Sequence, residues 1–273
     1  MRVFASFAAL CVAAALLAAS ESARAASAAP AACAAPKRLL FQVDGEMRRS
    51  AVGFTQGLEL RGDTLFESTG AIAGDTKLTT IDPQGRVAVL ANFGKRFFGE
   101  GLTIFRDRLY QLSWQNNAVF VYDLKGALLR RMNNPRDGWG LTNDGARLIF
   151  TDGGDQLHFV DPENFAAVQS VQVRWGATPM RALNELEYVD GKIYGNVFQT
   201  WEIVRVDPKT GCVEAVADLS FLWDRMKPDE KTHIASNPNF VLNGIAWDAA
   251  RRRFFVTGKS WKTIFTGRFL DAG

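Results

Sequence analysis

Histidine is nearly absent from this chain, with 2 among 273 residues, and cysteine is scarce, with 3. A multi-histidine metal site is thereby excluded, and so is a zinc module built on spaced Cys/His pairs. The sequence also lacks a G-x-S-x-G elbow and a phosphate-binding glycine loop, which removes α/β-hydrolase and P-loop chemistry. No excess of one charge is present either. The 32 Lys+Arg and 29 Asp+Glu leave a formal net charge of +3, and nucleic-acid binding needs clustered Lys/Arg. Long stretches of helical periodicity are missing from Leu39 onward. What is present is an ordinary globular composition, 47% hydrophobic and 22% charged, which excludes a disordered or fibrous chain.

The N-terminus reads as an address. Met1-Arg2 is followed by an apolar run from Val3 to Ala19 and then by Ala23-Arg24-Ala25, the order of a secretory signal. The run is Ala-rich and short of the roughly 20 residues a membrane span needs. We expect a signal peptide over 1–25, a flexible Ala/Ser/Pro-rich leader over 26–38 and a single folded domain over 39–273. The mature protein is then secreted or periplasmic, without stable membrane insertion. Cys11 leaves with the signal. Cys33 and Cys212 remain, either paired in an oxidising compartment or as separate thiols.

Short β-rich runs separated by Asp, Gly, Pro and Asn turns recur every forty-odd residues. The repeats begin at Phe54-Thr-Gln-Gly-Leu58, Phe98-Gly-Glu-Gly-Leu102, Gly138-Trp-Gly-Leu141, Leu183-Asn-Glu-Leu186 and Leu242-Asn-Gly-Ile245. Each leads through a turn into a second strand. Further along come Asp82-Pro83, Asp123, Asp161-Pro162 and Asp207-Pro208, turn formers suited to an outer hairpin. Four strands per repeat predict an all-β fold, a five-bladed β-propeller in one domain. A β-sandwich of similar strand count is the alternative, and the five-fold recurrence favours the propeller. Leu39–Val43 belongs to no repeat and is expected to close the last blade beside Thr263–Phe269, which removes an open edge.

Aligned repeats place Gln56, Glu100, Trp139, Asn184 and Asn243 at one height around the channel. Phe54 and Phe98 lie two positions earlier on the same strand face. Trp114 and Phe198 follow their ring residues at equal spacing, and Lys259 holds a similar place in the fifth repeat. Aromatic walls with one carboxylate, one ammonium and several carboxamides suit a small polar ligand with an apolar stem. The competing view is a ring that only satisfies blade-end backbone groups and channel waters. His158 and His233 are isolated and read as structural.

The strings FTQGL, FGEGLT, LYQLSW, GWGLTNDG, LNELEYVDGKIYGNVFQT and LNGIAWD…FFVTGKSW resemble the plant- and bacterial-type glutaminyl-peptide cyclotransferases, from about Phe54 to Trp261. The resemblance implies a five-bladed propeller that converts an N-terminal glutamine into pyroglutamate and releases ammonia. It implies no cofactor and no metal, unlike the zinc-dependent animal-type enzyme, and a peptide or protein with N-terminal Gln as partner; separately, a monomer is expected. The implied site residues are Phe54, Gln56, Phe98, Glu100, Trp114, Trp139, Asn184 and Lys259. Two positions depart from the family pattern: Phe198 stands where Trp is usual, and Trp201 where an acidic residue is usual. The Asp229–Pro238 insertion is expected to form a loop over one face.

Cyclisation needs a curled substrate, removal of an amine proton, stabilisation of an oxyanion and protonation of the leaving nitrogen. Glu100 is expected to carry the proton, with burial raising its pKa. Lys259, Gln56 and Asn184 are expected to meet the oxyanion or orient the carboxamide, with Asn243 and Phe198 as further binding residues. Two alternatives stay open. Glu100, Asn184 and Asn243 offer hard oxygens that could hold Ca²⁺ in a lactonase-like propeller. A non-catalytic propeller binding peptide or sugar would use the same aromatic funnel.

Overall fold

In the computed structural model, residues 32–272 are described apart from Ala73. The expected signal peptide and the leader up to residue 31 lie outside the described residues. The first strand, β1 (Lys37–Arg48), already begins inside the expected leader. One four-stranded antiparallel sheet holds β2 (Thr55–Arg61), β3 (Thr64–Thr69), β4 (Thr76–Ile81) and β5 (Val87–Gly94). The next holds β6 (Phe98–Phe105), β7 (Arg108–Trp114), β8 (Ala118–Asp123) and β9 (Leu128–Asn133). A third holds β10 (Leu141–Asn143), β11 (Leu148–Phe150), β12 (Gln156–Val160) and β13 (Ala167–Gln172).

A small ribbon, β14 (Arg174–Trp175) with β15 (Thr178–Pro179), leads to β16 (Leu183–Val189), β17 (Lys192–Val197), β18 (Glu202–Val206) and β19 (Val213–Asp218). Two short helices, α1 (Leu222–Arg225) and α2 (Pro228–Ala235), precede β20 (Leu242–Asp248), β21 (Arg253–Gly258) and β22 (Thr263–Asp271). β1 joins these last two groups into one eight-stranded sheet. It runs antiparallel to β22, pairing Phe41 with Phe269 and Val43 with Gly267, and its start runs parallel to β19. The first strands of the five groups form a closed circuit: β2 packs on β6, β6 on β10, β10 on β16, β16 on β20, and β20 back on β2.

Local chemistry explains the strands. In β1, Leu39 and Phe41 are buried while Leu40 is exposed, the two-residue alternation of a half-buried strand. Phe41 meets Phe269 at 4.8 Å, and Tyr194 and Phe254 extend this cluster across the eight-stranded sheet. The outer hairpins begin at the expected aspartates. The Asp82 carboxylate accepts the backbone N–H of Gln84 at 2.9 Å, and Asp123, Asp161 and Asp207 repeat the Asx turn on Lys125, Glu163 and Lys209.

The insertion is helical rather than a loop. α2 starts at Pro228, where the missing N–H costs no helical bond. Its buried Glu230 accepts the backbone N–H groups of Lys262 and Thr263 at 2.7 and 2.8 Å, which fastens the helix beside β22. Trp201 packs on Trp261 at 5.4 Å and on Trp223 at 6.3 Å, so its large side chain serves the core beneath the insertion.

Cys33 and Cys212 form a disulfide, with Cα atoms 5.4 Å apart and 179 residues between them in sequence. The bridge ties the segment before β1 to the turn before β19. Replacing both cysteines by serine should lower unfolding free energy by about 2–4 kcal/mol in urea titrations. An unchanged midpoint would show that the bridge does not restrain the closing strand.

Candidate active site

Four of the five ring residues sit where the ladder is interrupted. The pairing of β2 with β3 shifts register between Thr55 and Gly57, leaving Gln56 unpaired. The same shift occurs between Gly99 and Leu102 around Glu100, between Leu183 and Leu186 around Asn184, and between Leu242 and Ile245 around Asn243. A bulge turns its extra residue out of the ladder and re-aims the side chain. Crowding at the hub demands small residues next to the bulge. A Cβ on Gly101 would lie 2.4 Å from the Leu141 nitrogen, and one on Gly140 would lie 1.7 Å from the Asn184 carbonyl oxygen. The fourth repeat has Glu185 instead of glycine. Its buried carboxylate accepts the backbone N–H groups of Leu58 and Ile245 at 3.1 and 2.7 Å, bridging three inner strands.

The bulges open onto a cup of about 260 Å³ lined by Phe54, Gln56, Phe98, Glu100, Trp114, Trp139, Asn184, Phe198 and Lys259, with Ile72 and Asn239. Aromatic edges build its wall. Phe54 meets Phe98 at 6.1 Å, Phe98 meets Trp114 at 5.7 Å, and Trp139 meets Phe198 at 5.5 Å, all edge to face. Phe240, from the insertion, supports Phe54 from behind at 6.2 Å. Trp114 is 40% exposed and forms the lip. A larger recess of about 380 Å³ lies between β1, β2 and β21, but its Arg251 is already paired with Asp63 and Asp248.

Polar groups converge inside this apolar wall. Glu100 is 5% exposed, and its Oε1 accepts from Gln56 Nε2 at 3.0 Å. Lys259 is 3% exposed, its Nζ 4.7 Å from the Phe198 ring centre and 5.1 Å from that of Phe54. Asn184 presents a buried carboxamide oxygen that has no partner among the described residues. Burial pushes the Glu100 carboxyl well above the usual carboxylate range; the Lys259 charge pulls it back and Asp137 pushes it further up. Burial likewise lowers the Lys259 ammonium to about 8, against an opposing pull from Glu100. Burial thus moves the acid up and the amine down, the directions in which acid–base work tunes such groups.

Nine of the ten expected residues thus line one cup. Asn243 does not. It stands behind Gln56, donating from Nδ2 to the Thr55 carbonyl at 2.9 Å and to Gln56 Oε1 at 3.4 Å. Ile72 and Asn239 were not expected, because they lie on loops that carry no repeat. His158 bridges Asp152 and Ser170 at 3.0 Å each, and His233 stacks on Phe240. Neither lines the cup.

Fold and cup define an all-β protein with a small aromatic-walled pocket that holds one acid and one amine. Comparison with known proteins narrows this class. The glutamine cyclotransferase family matches residues 10–269. The chain is 37% identical to the glutaminyl-peptide cyclotransferase of Arabidopsis thaliana over 235 residues, 85% of this chain and 72% of that one. It is similar to the crystal structure of Myxococcus xanthus glutaminyl cyclase, with a TM-score of 0.75 and 32% identity, covering 87% of this chain and 100% of that one. The chain belongs to the glutamine cyclotransferase family.

The Phe198 ring faces the ammonium, so Phe198→Leu should make protonated Lys259 harder to hold. A cation–π contact of about 0.5–2 kcal/mol corresponds to up to about 1.5 pH units. The Lys259 midpoint, followed by ¹⁵N chemical shift, should fall below its present value of about 8. A midpoint that rises or stays fixed would remove the ring from the charge balance.

Proposed function

We propose that this protein is a glutaminyl-peptide cyclotransferase built as a five-bladed propeller, in which Glu100 carries the proton and Lys259 meets the developing negative charge. The circuit of five first strands supports the blade count. The observation that carries the chemistry is Glu100, the one carboxylate lining the cup among the described residues, facing the same small space as Lys259.

The aromatic wall holds the glutamine side chain curled, so that the α-amine lies against the γ-carbonyl carbon. The amine nitrogen forms the new C–N bond while its proton passes to Glu100 Oε. The carbonyl oxygen becomes an oxyanion and takes a hydrogen bond from Lys259 Nζ. Glu100 then returns the proton to the amide nitrogen, the original C–N bond breaks, and ammonia leaves behind pyroglutamate. The free oxygen of Asn184 is placed to accept an N–H from the substrate. One carboxyl can serve both transfers because burial raises its pKa above the usual carboxylate range.

The calcium reading is less well supported: one Glu100 oxygen already accepts from Gln56 Nε2, and Asn243 does not line the cup. The disulfide supports the secreted or periplasmic placement expected from the leader.

Glu100→Gln should lower kcat for a Gln-initiated dipeptide by about 10²–10⁴, with KM little changed, in a coupled ammonia-release assay. Turnover within a few-fold of wild type would refute the shuttle, and abolition by a chelator would favour the calcium reading. The pH profile has a defined sign. Ionised Glu100 is needed on the acid side, so that limb lies above the usual carboxylate range. Protonated Lys259 is needed on the alkaline side, so kcat should fall above about pH 8, and Lys259→Arg should move that limb upward.

A further inference from the structure

We infer that Asn243 is a positioning residue: it holds the Gln56 amide in the one orientation that donates to Glu100, and so keeps that carboxyl able to accept a proton. The inference rests on the shuttle reading above and assigns a role to a side chain outside the cup.

The chain of contacts starts at a group that cannot turn over. The Thr55 carbonyl is a backbone acceptor with no proton to give, and Asn243 lies 2.9 Å from it. The side-chain atom facing Thr55 must therefore be Nδ2, because an oxygen there would oppose another oxygen. The same Nδ2 lies 3.4 Å from Gln56, which fixes the near atom of that amide as Oε1. Gln56 Nε2 is then left pointing at Glu100 Oε1, 3.0 Å away. Direction passes along three side chains from one carbonyl.

The setting keeps the chain in place. Asn243 is fully buried on the bulge of β20, and the following Gly244 donates its N–H to Asn196 Oδ1 at 3.1 Å. Asn243 Oδ1 has no partner among the described residues, so its orientation is held by its donor side alone. A buried acceptor left unmade is unfavourable, and a side chain that tolerates it is constrained by something else. Here that constraint is the Thr55 carbonyl.

Orientation matters because an amide can face a carboxyl group in two ways. An N–H favours the ionised acid, whereas a carbonyl oxygen favours the protonated one. The other charged groups acting on Glu100 are Lys259, after β21, and Asp137, before β10; neither touches the Asn243 amide in any described contact. Removing Asn243 would free Gln56 to turn its oxygen toward a protonated Glu100 and stall the first proton transfer.

The test compares Asn243→Leu, Gln56→Leu and the double variant on a Gln-initiated dipeptide. Asn243→Leu should move the acid limb of kcat upward by about one pH unit, the scale of a hydrogen bond to a charged group. kcat on that limb falls about tenfold while KM stays within about three-fold. Gln56→Leu should shift the limb similarly, and the double variant should shift it no further. If Asn243→Leu does not fold, Asn243→Ser, too short to reach both acceptors, carries the same expectation. A folded variant with an unmoved limb, or shifts that add in the double variant, would overturn the inference. Wild-type-like turnover in Glu100→Gln would instead overturn the shuttle, whatever Asn243 does.

Discussion

Inner strands that come together too closely for a side chain govern this molecule. Glycine at positions 101 and 140 allows backbones to touch across the hub, and beside Gly101 the neighbouring Glu100 is forced out of its ladder. That displaced residue lines the cup. Site and packing are thus one solution to the same crowding. Where glycine gives way to Glu185, a carboxylate fills the space and takes up backbone N–H groups from two other strands. Its burial raises its pKa as well, but its hydrogen bonds are structural and it does not line the cup.

Within the cup, the low-polarity wall acts on both charges at once. Glu100 is driven toward its acid form and Lys259 toward its neutral amine, while each partly restores the other. The aromatic rings provide the exclusion of water and also the quadrupole faces on which the ammonium rests. A fixed environment of this kind needs no reorganisation as charge develops.

Much of this was legible in the sequence, for identifiable reasons. Repeats of strand, turn and strand announce themselves by period, so the ring residues Gln56, Glu100, Trp139 and Asn184 could be placed before any coordinates. Aspartate turns were readable because Asx chemistry is local. Asn243 was misplaced because aligning repeats gives height along the channel and not depth behind a neighbour. Ile72 and Asn239 lie on connections with no periodicity to betray them. α2 has eight residues and only a weak apolar face, so nothing in its pattern separated it from a loop. Whether Cys33 reached Cys212 depended on a distance across 179 residues, which no local pattern encodes.

The partnership of β1 with β22 bears on how the chain is made. Strands emerge from the ribosome in order, and early segments ordinarily fold before late ones. Here β1, the first strand among the described residues, pairs with β22, the last of them, so that edge stays open until β22 has been made. The eight-stranded sheet is therefore sealed by the meeting of its earliest and latest described strands.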